Sequence, residues 1–134
     1  MKDCVVLYEK WQMDCCGTPF SMYDMVQWLV CDGTNISLNV DNVKVDYCYE
    51  AHSSNYKGLY NLSGKVVKIC ALYRKYTKAV YNSKLLIPTE SYLLATDSLL
   101  EIEDKIDDLV LNSYVVYLSD CEIVAAKKNE VTFS

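Results

Sequence analysis

Only two prolines and four glycines punctuate the 134 residues. No Pro- or Gly-rich linker divides the chain, and a single domain over residues 1–134 is expected. Histidine occurs once, as His52, which excludes the H-E-x-x-H zinc motif and every site built on two imidazoles. The phosphate-cradling loops G-x-x-x-x-G-K-[ST] and G-x-G-x-x-G are missing, and so is the G-x-S-x-G nucleophile turn. No apolar run approaches the roughly 18 residues of a membrane span. The opening MKDCVVLYEKWQ is too short in apolar residues for a secretory leader. These absences lead to the expectation of a cytoplasmic protein without a membrane contact.

Cysteine is not scarce, but it is oddly arranged. Seven are scattered along the chain at 4, 15, 16, 31, 48, 70 and 121, an odd count that does not fit a secreted disulfide framework. Most lie inside apolar strings such as CVVLY, WLVC and KICALY, where a thiol acts as a small buried hydrophobe. The net charge of −5 argues against a general nucleic-acid binder. The charge is also uneven. Lys65 to Lys84 holds six bases and no acid, and Asp97 to Asp108 holds six acids and one lysine. Two differently solvated faces are the ordinary meaning of such a split.

Tyr, Val, Ile and Leu dominate the apolar set, which favours strands. Residues 3–8 read as a first strand, and Gly17-Thr18-Pro19 breaks the chain. Residues 20–31 fit both a helical face and a half-buried strand, and their aromatic content favours the strand over 25–30. Val43, Val45, Tyr47 and Tyr49 alternate with polar neighbours, as on one side of a strand. Residues 63–76 form the clearest strand, launched from Gly64 and long enough to bend around a barrel. SYLLAT continues the series. Residues 98–110 are open between helix and strand: Ser98 and Glu101 have the spacing to cap a helix bearing Leu99, Ile102, Ile106 and Leu109. Residues 113–126 are a strand pair or one bent strand. The fold class expected is mainly β: a small, partly open β-barrel or sandwich of OB or SH3-like size, with at most one or two short helices.

The least ordinary stretch is WQMDCCGTPF, residues 11–20, followed by Asp24-Met25-Val26-Gln27-Trp28. With Gly64-Lys65-Val66-Val67-Lys68-Ile69 and the late Tyr114-Val115-Val116-Tyr117-Leu118, it resembles an uncharacterised bacterial family, a domain of unknown function whose members carry a W-Q-M-x-C-C-G-x-P-F signature. That family has a Gly-Asp turn where this chain has Tyr23-Asp24. The resemblance implies a β-rich cytosolic bacterial domain and brings no catalytic residue with it.

Three function classes remain. The first is a non-catalytic module that binds another protein, immunity-like in size and acidity, through Trp11, Gln12, Cys15 and Cys16 with His52 nearby. In it, 11–20 is mainly a folded corner with one thiol inward and one outward, and Gln12 bonds an adjacent loop. The second is a thiol-dependent enzyme, or a zinc site using Cys15, Cys16, Cys48 and His52. Adjacent cysteines in extended chain point apart, though, and zinc pairs are commonly spaced C-x₂₋₄-C, so no cofactor is expected. The third is a single-stranded nucleic-acid barrel using Lys65, Lys68, Tyr73, Arg74, Lys75 and Tyr76, in which tyrosines stack bases and cations hold phosphates. Glu101, Glu103, Asp104, Asp107 and Asp108 lack the glycine and ligand spacing of a calcium loop and read as a solvated acidic face.

Overall fold

The computed structural model of the protein describes residues 2–38, 40, 43–51, 58–78 and 86–127. Along them run β1 (Lys2–Glu9), α1 (Lys10–Cys16), β2 (Met25–Asp32), β3 (Tyr47–Tyr49), β4 (Leu59–Lys78), β5 (Leu86–Thr96), β6 (Lys105–Ile106) and β7 (Leu109–Ala125). The protein is mainly β, as its composition implies. Five strands follow one another around a ring, β4-β2-β3-β1-β7, and the β4–β7 pairing closes it. The partly open barrel or sandwich expected from the sequence is therefore a closed five-stranded barrel with two extra strands. β5 lies alongside the second half of β4, and β6 forms a hairpin with β7.

β4 is 20 residues long and serves two neighbours on one edge, β2 from Leu59 to Lys65 and β5 from Ile69 onward. To do so it must bend. The bend lies where Gly64 meets β7. A Cβ at Gly64 would stand 3.1 Å from Cys121 Sγ and 3.2 Å from Ser119 O, tighter than ordinary contact. Opposite it β7 bulges, with Asp120 in the left-handed region at φ 54°. A bulge adds local twist, which lets one continuous β7 wrap the barrel. Residues 113–126 are thus one bent strand rather than a pair.

The interior is filled by alternate residues: Cys4, Val6 and Tyr8 from β1, Trp28 and Val30 from β2, Val66, Ile69 and Ala71 from β4, and Val116 and Leu118 from β7. Their neighbours are not in water. Leu7, Cys70, Leu72 and Val115 face outward and are covered by Leu38 and Val45 from the β2–β3 connection. This is why CVVLY and ICALY are unbroken apolar runs, since both faces of those strands are buried.

Two sequence expectations need correction. Val43 and Val45 belong to the outer cluster, whereas Tyr47 and Tyr49 pack against the inner one, and regular strand begins only at Tyr47. The helical reading left open after Ser98 shrinks to a single 3-10 turn, Leu99–Glu101, and the strand reading holds beyond it at Lys105–Ile106 and from Leu109. Ser98 does cap that turn, its hydroxyl accepting from Leu100 N at 3.2 Å. Ile106 and Leu109, however, face each other across a two-residue turn in the β6–β7 hairpin. Asp107 in that turn has φ 53°, a conformation aspartate tolerates better than most residues.

Candidate functional site

The stretch at 10–20 is not the extended dithiol hairpin that adjacent cysteines suggest. Lys10–Cys16 is a helix. No β-branched residue opposes it, and Lys10 pairs with Asp14 one turn on and with Asp104 at 3.8 Å. Asp14 holds the Lys10 ammonium above the usual lysine range. Trp11 is 52% exposed, and its indole N–H donates to a Glu9 carboxylate oxygen at 3.1 Å. Cys15, one turn further on, is also exposed. The side chain of Cys16 and the whole of His52 lie outside the described residues.

Gln12 points the other way and is fully buried. Its Nε2 donates to Tyr49 O at 3.0 Å, and its Oε1 accepts from Ala51 N at 3.1 Å. One carboxamide thus offers the donor and acceptor that a neighbouring strand's peptide group would offer. It ties the end of β3 to α1 where the ladder to β1 has stopped. The loop hydrogen bond expected of Gln12 is present, in doubled form.

Gly17 ends the helix, donating to Gln12 O and Met13 O, both at 3.1 Å. A Cβ here would lie 2.5 Å from the Tyr8 hydroxyl and 2.7 Å from Met13 Cα, so the position is glycine for space and not for φ. The chain then passes through Thr18, Pro19 and Phe20 along one wall of a cleft of about 420 Å³. Asp24 to Trp28 form the facing wall, and Tyr8 and Tyr49 complete the lining. Its aromatic base is built around Tyr8. That ring stacks on Tyr49 at 3.8 Å and meets Trp28 edge-on at 5.3 Å, while Phe20 lies 5.1 Å from Trp28. Such ring pairs contribute roughly 0.5–1.5 kcal/mol each beyond area burial.

The rim is unusual. Tyr23 holds φ 72°, a conformation that costs a non-glycine residue about 1–2 kcal/mol. It is pinned by Tyr23 N to Val66 O at 2.7 Å, and Val66 N returns to Asp24 O at 2.9 Å. The Tyr23 side chain is nonetheless 67% exposed, and Met25 beside it is 71% exposed. Lys65 Nζ sits 5.6 Å from the Tyr23 ring centroid.

The residue set expected for a nucleic-acid face is divided by the barrel wall. Lys65 and Lys68 are exposed, Lys68 over the Tyr117 ring at 5.0 Å. Tyr73, expected beside them as a stacking platform, is buried, its hydroxyl donating to Glu103 O at 2.6 Å. Arg74 and Tyr76 are half-buried, and the Tyr76 hydroxyl accepts from Asn112 Nδ2 at 3.2 Å. Lys75 pairs with Asp108 at 3.1 Å, so the basic and acidic segments partly neutralise each other. Glu101, Glu103, Asp104, Asp107 and Asp108 are all exposed.

Cys48 stands across from Cys31 on β2 and β3, while Cys15 is on α1. Among the described residues, no three His, Cys, Asp or Glu side chains are grouped to hold an ion. Burial pushes the Cys48 thiol up to about 12, with the neighbouring Cys31 adding to it. Cys121, buried beside Cys4, is likewise pushed up to about 12, chiefly by burial. A thiol so held is protonated at neutral pH and is a poor nucleophile.

Alkylation with iodoacetamide at pH 8 is therefore expected to leave Cys48 and Cys121 unmodified in the native protein and to reach them only after unfolding. Peptide mass spectrometry reads this directly. The sign for stability follows. Once pH exceeds the unfolded thiol value of 9.0, the unfolded chain sheds protons that the folded chain keeps. Stability present below that pH is then lost progressively toward pH 12. Melting temperatures recorded from pH 8 to 10.5 should fall steadily, and a flat profile would contradict the burial of both thiols.

A family of unknown function, DUF6578, matches over residues 2–120. The chain belongs to that family. No curated protein and no solved structure matches it. The DUF6578 match covers every strand of the closed ring up to Asp120 on β7, and with them all the residues that line the cleft. Among the described residues of this DUF6578 chain, no helix is long and apolar enough to cross a membrane.

Sequence reasoning singled out Trp11, Gln12 and Cys15 but passed over Tyr8, Phe20, Tyr23, Met25, Trp28 and Tyr49 as site residues. The one available signal was the Asp24-to-Trp28 segment, which contributes five consecutive residues to the cleft.

Proposed function

We propose that this protein is a non-catalytic binding module, and that its contact surface is the aromatic cleft with the Tyr23–Met25 rim rather than the α1 thiols. The observation that carries this is Tyr23, held at φ 72° by backbone hydrogen bonds and yet two-thirds exposed beside an equally exposed Met25. A fold gains little stability from an aromatic ring it leaves in water, and strained backbone that the surroundings enforce is concentrated at functional sites. Exposed tyrosine and methionine beside an aromatic-lined cleft are the composition of a protein-binding centre. The partner in this reading is another protein. An immunity-like role, in which that partner is a toxin, is its specific form, favoured by the small size and net charge of −5. The thiols of Cys4, Cys31, Cys48 and Cys121 favour a reducing bacterial cytoplasm as its setting.

The experiment is site-specific photo-crosslinking in cells of the source organism. A photoreactive phenylalanine analogue placed at Met25 is expected to trap a discrete partner. The same analogue at Val124, 64% exposed on β7, is expected to trap none. Equal adducts at both positions, or none at Met25, would remove the reading. A companion variant separates binding from folding. Tyr23→Gly relieves the left-handed strain and is expected to melt within about 1 kcal/mol of wild type or above it, while abolishing the Met25 crosslink.

A further inference from the structure

Resting on the cleft reading above, we infer that the partner binds as an extended segment that adds a strand to the open edge of β2. β2 is eight residues long and β3 only three, so among the described residues β2 has no full-length neighbour on that side. β3 pairs with Val30, Cys31 and Asp32, and Glu50 N reaches back to Leu29 O at 2.9 Å. There the described ladder ends. Backbone groups alternate in direction along a strand. Asp24 O bonds Val66 N on the β4 side, and Leu29 O bonds Glu50 N on the β3 side. Even-numbered residues of this stretch therefore point to β4. Met25 and Gln27 turn their N–H and C=O groups to the other edge, where no described residue meets them.

Those four groups lie along the wall of the cleft, which Met25, Val26, Gln27 and Trp28 all line. A row of alternating donors and acceptors that no described residue meets specifies its own ligand, the backbone of an extended chain. A segment placed there continues the row that β3 begins. The side chains it sets opposite Val26 and Trp28 share their direction, into the space bounded by Phe20, Tyr8 and Tyr49. Its other side chains pass beside the exposed Met25. The 420 Å³ of the cleft falls within the roughly 300–1,000 Å³ of ordinary ligand sites. Among the described residues that line it, Asp24 alone is charged, which favours a basic residue at one end of the segment. The ligand class is thus an extended peptide with apolar residues at alternate positions and a lysine or arginine beside them.

The test uses the full chain and a display library of random dodecapeptides. Selected peptides are expected to show alternating apolar residues. On binding they should slow amide exchange at Met25 and Gln27 at least about tenfold, the scale of one hydrogen bond. Gln27→Pro removes one edge donor without removing any bond to β4. It should keep the native circular dichroism and weaken peptide binding about tenfold. If that variant does not fold, the exchange measurement on the unaltered chain still decides. Peptides that bind while exchange at Met25 and Gln27 stays unchanged would overturn strand addition and leave the binding-module reading intact. Recovery of no peptide that competes with the Met25 crosslink would likewise overturn it, because that crosslink stands or falls separately.

Discussion

Gln12→Ala is expected to lower unfolding free energy by about 3 kcal/mol, although it removes no apolar core volume of note. The side chain is buried and satisfies two backbone groups, Tyr49 O and Ala51 N. Alanine leaves both without that partner. A buried unsatisfied donor or acceptor costs about 1–3 kcal/mol, and here one substitution strands the buried Ala51 N and the part-buried Tyr49 O together. Trp11→Ala next to it removes a much larger side chain that is half in water and is expected to cost under about 1 kcal/mol. Urea unfolding of the pair measures the contrast. Equal losses, or a larger loss at Trp11, would mean that α1 is held by surface packing instead of by this carboxamide.

Tyr8→Ala should cost more, about 4 kcal/mol, the scale of deleting a buried aromatic ring. Tyr8 is the ring that the others share: it stacks on Tyr49, meets Trp28 and Tyr114 at steep angles and lies 6.0 Å from Phe20. Its removal opens a void at the centre of four aromatics drawn from four separate parts of the chain. Against a total stability of roughly 5–15 kcal/mol, such a variant retains little margin. Chemical denaturation should place its midpoint well below that of Leu100→Ala, at a residue 80% exposed. Near-equal midpoints would show that the cluster is not the keystone of the barrel mouth.

The strands were legible because their chemistry is local. The long run at 63–76 announced sheet, and Gly17-Thr18-Pro19 marked a real break. β4 begins at Leu59, however, so Gly64 bends the strand where it was expected to launch it. Of the alternation at 43–49, only Tyr47–Tyr49 is regular strand. What the sequence concealed depends on partners far along the chain. α1 is seven residues long and has no side-chain N-cap, so nothing near it in sequence signals a helix. It is fixed by Gln12 reaching residues 37 and 39 positions away. Ser98 does cap the turn that follows it, but Leu109 is bound into β7, and hairpin pairing outcompetes the helical spacing of Ile102, Ile106 and Leu109. The cleft was the least visible of all. Tyr8, Phe20, Trp28 and Tyr49 come from four segments, and no periodicity links them. Only the Asp24-to-Trp28 segment lay whole within one stretch of sequence.

The two ends of the described chain are also neighbours, since Lys2 on β1 is registered with Cys121 on β7. During synthesis the first strand therefore waits for nearly the last. Until β7 leaves the ribosome, β1 lacks its antiparallel neighbour and the long β4 lacks one entire side. Pairings this distant along a chain form slowly and leave sticky edges uncovered meanwhile. A chain cut short before Leu109 should consequently be lost to aggregation or proteolysis, because no smaller ring can be made from the strands it retains.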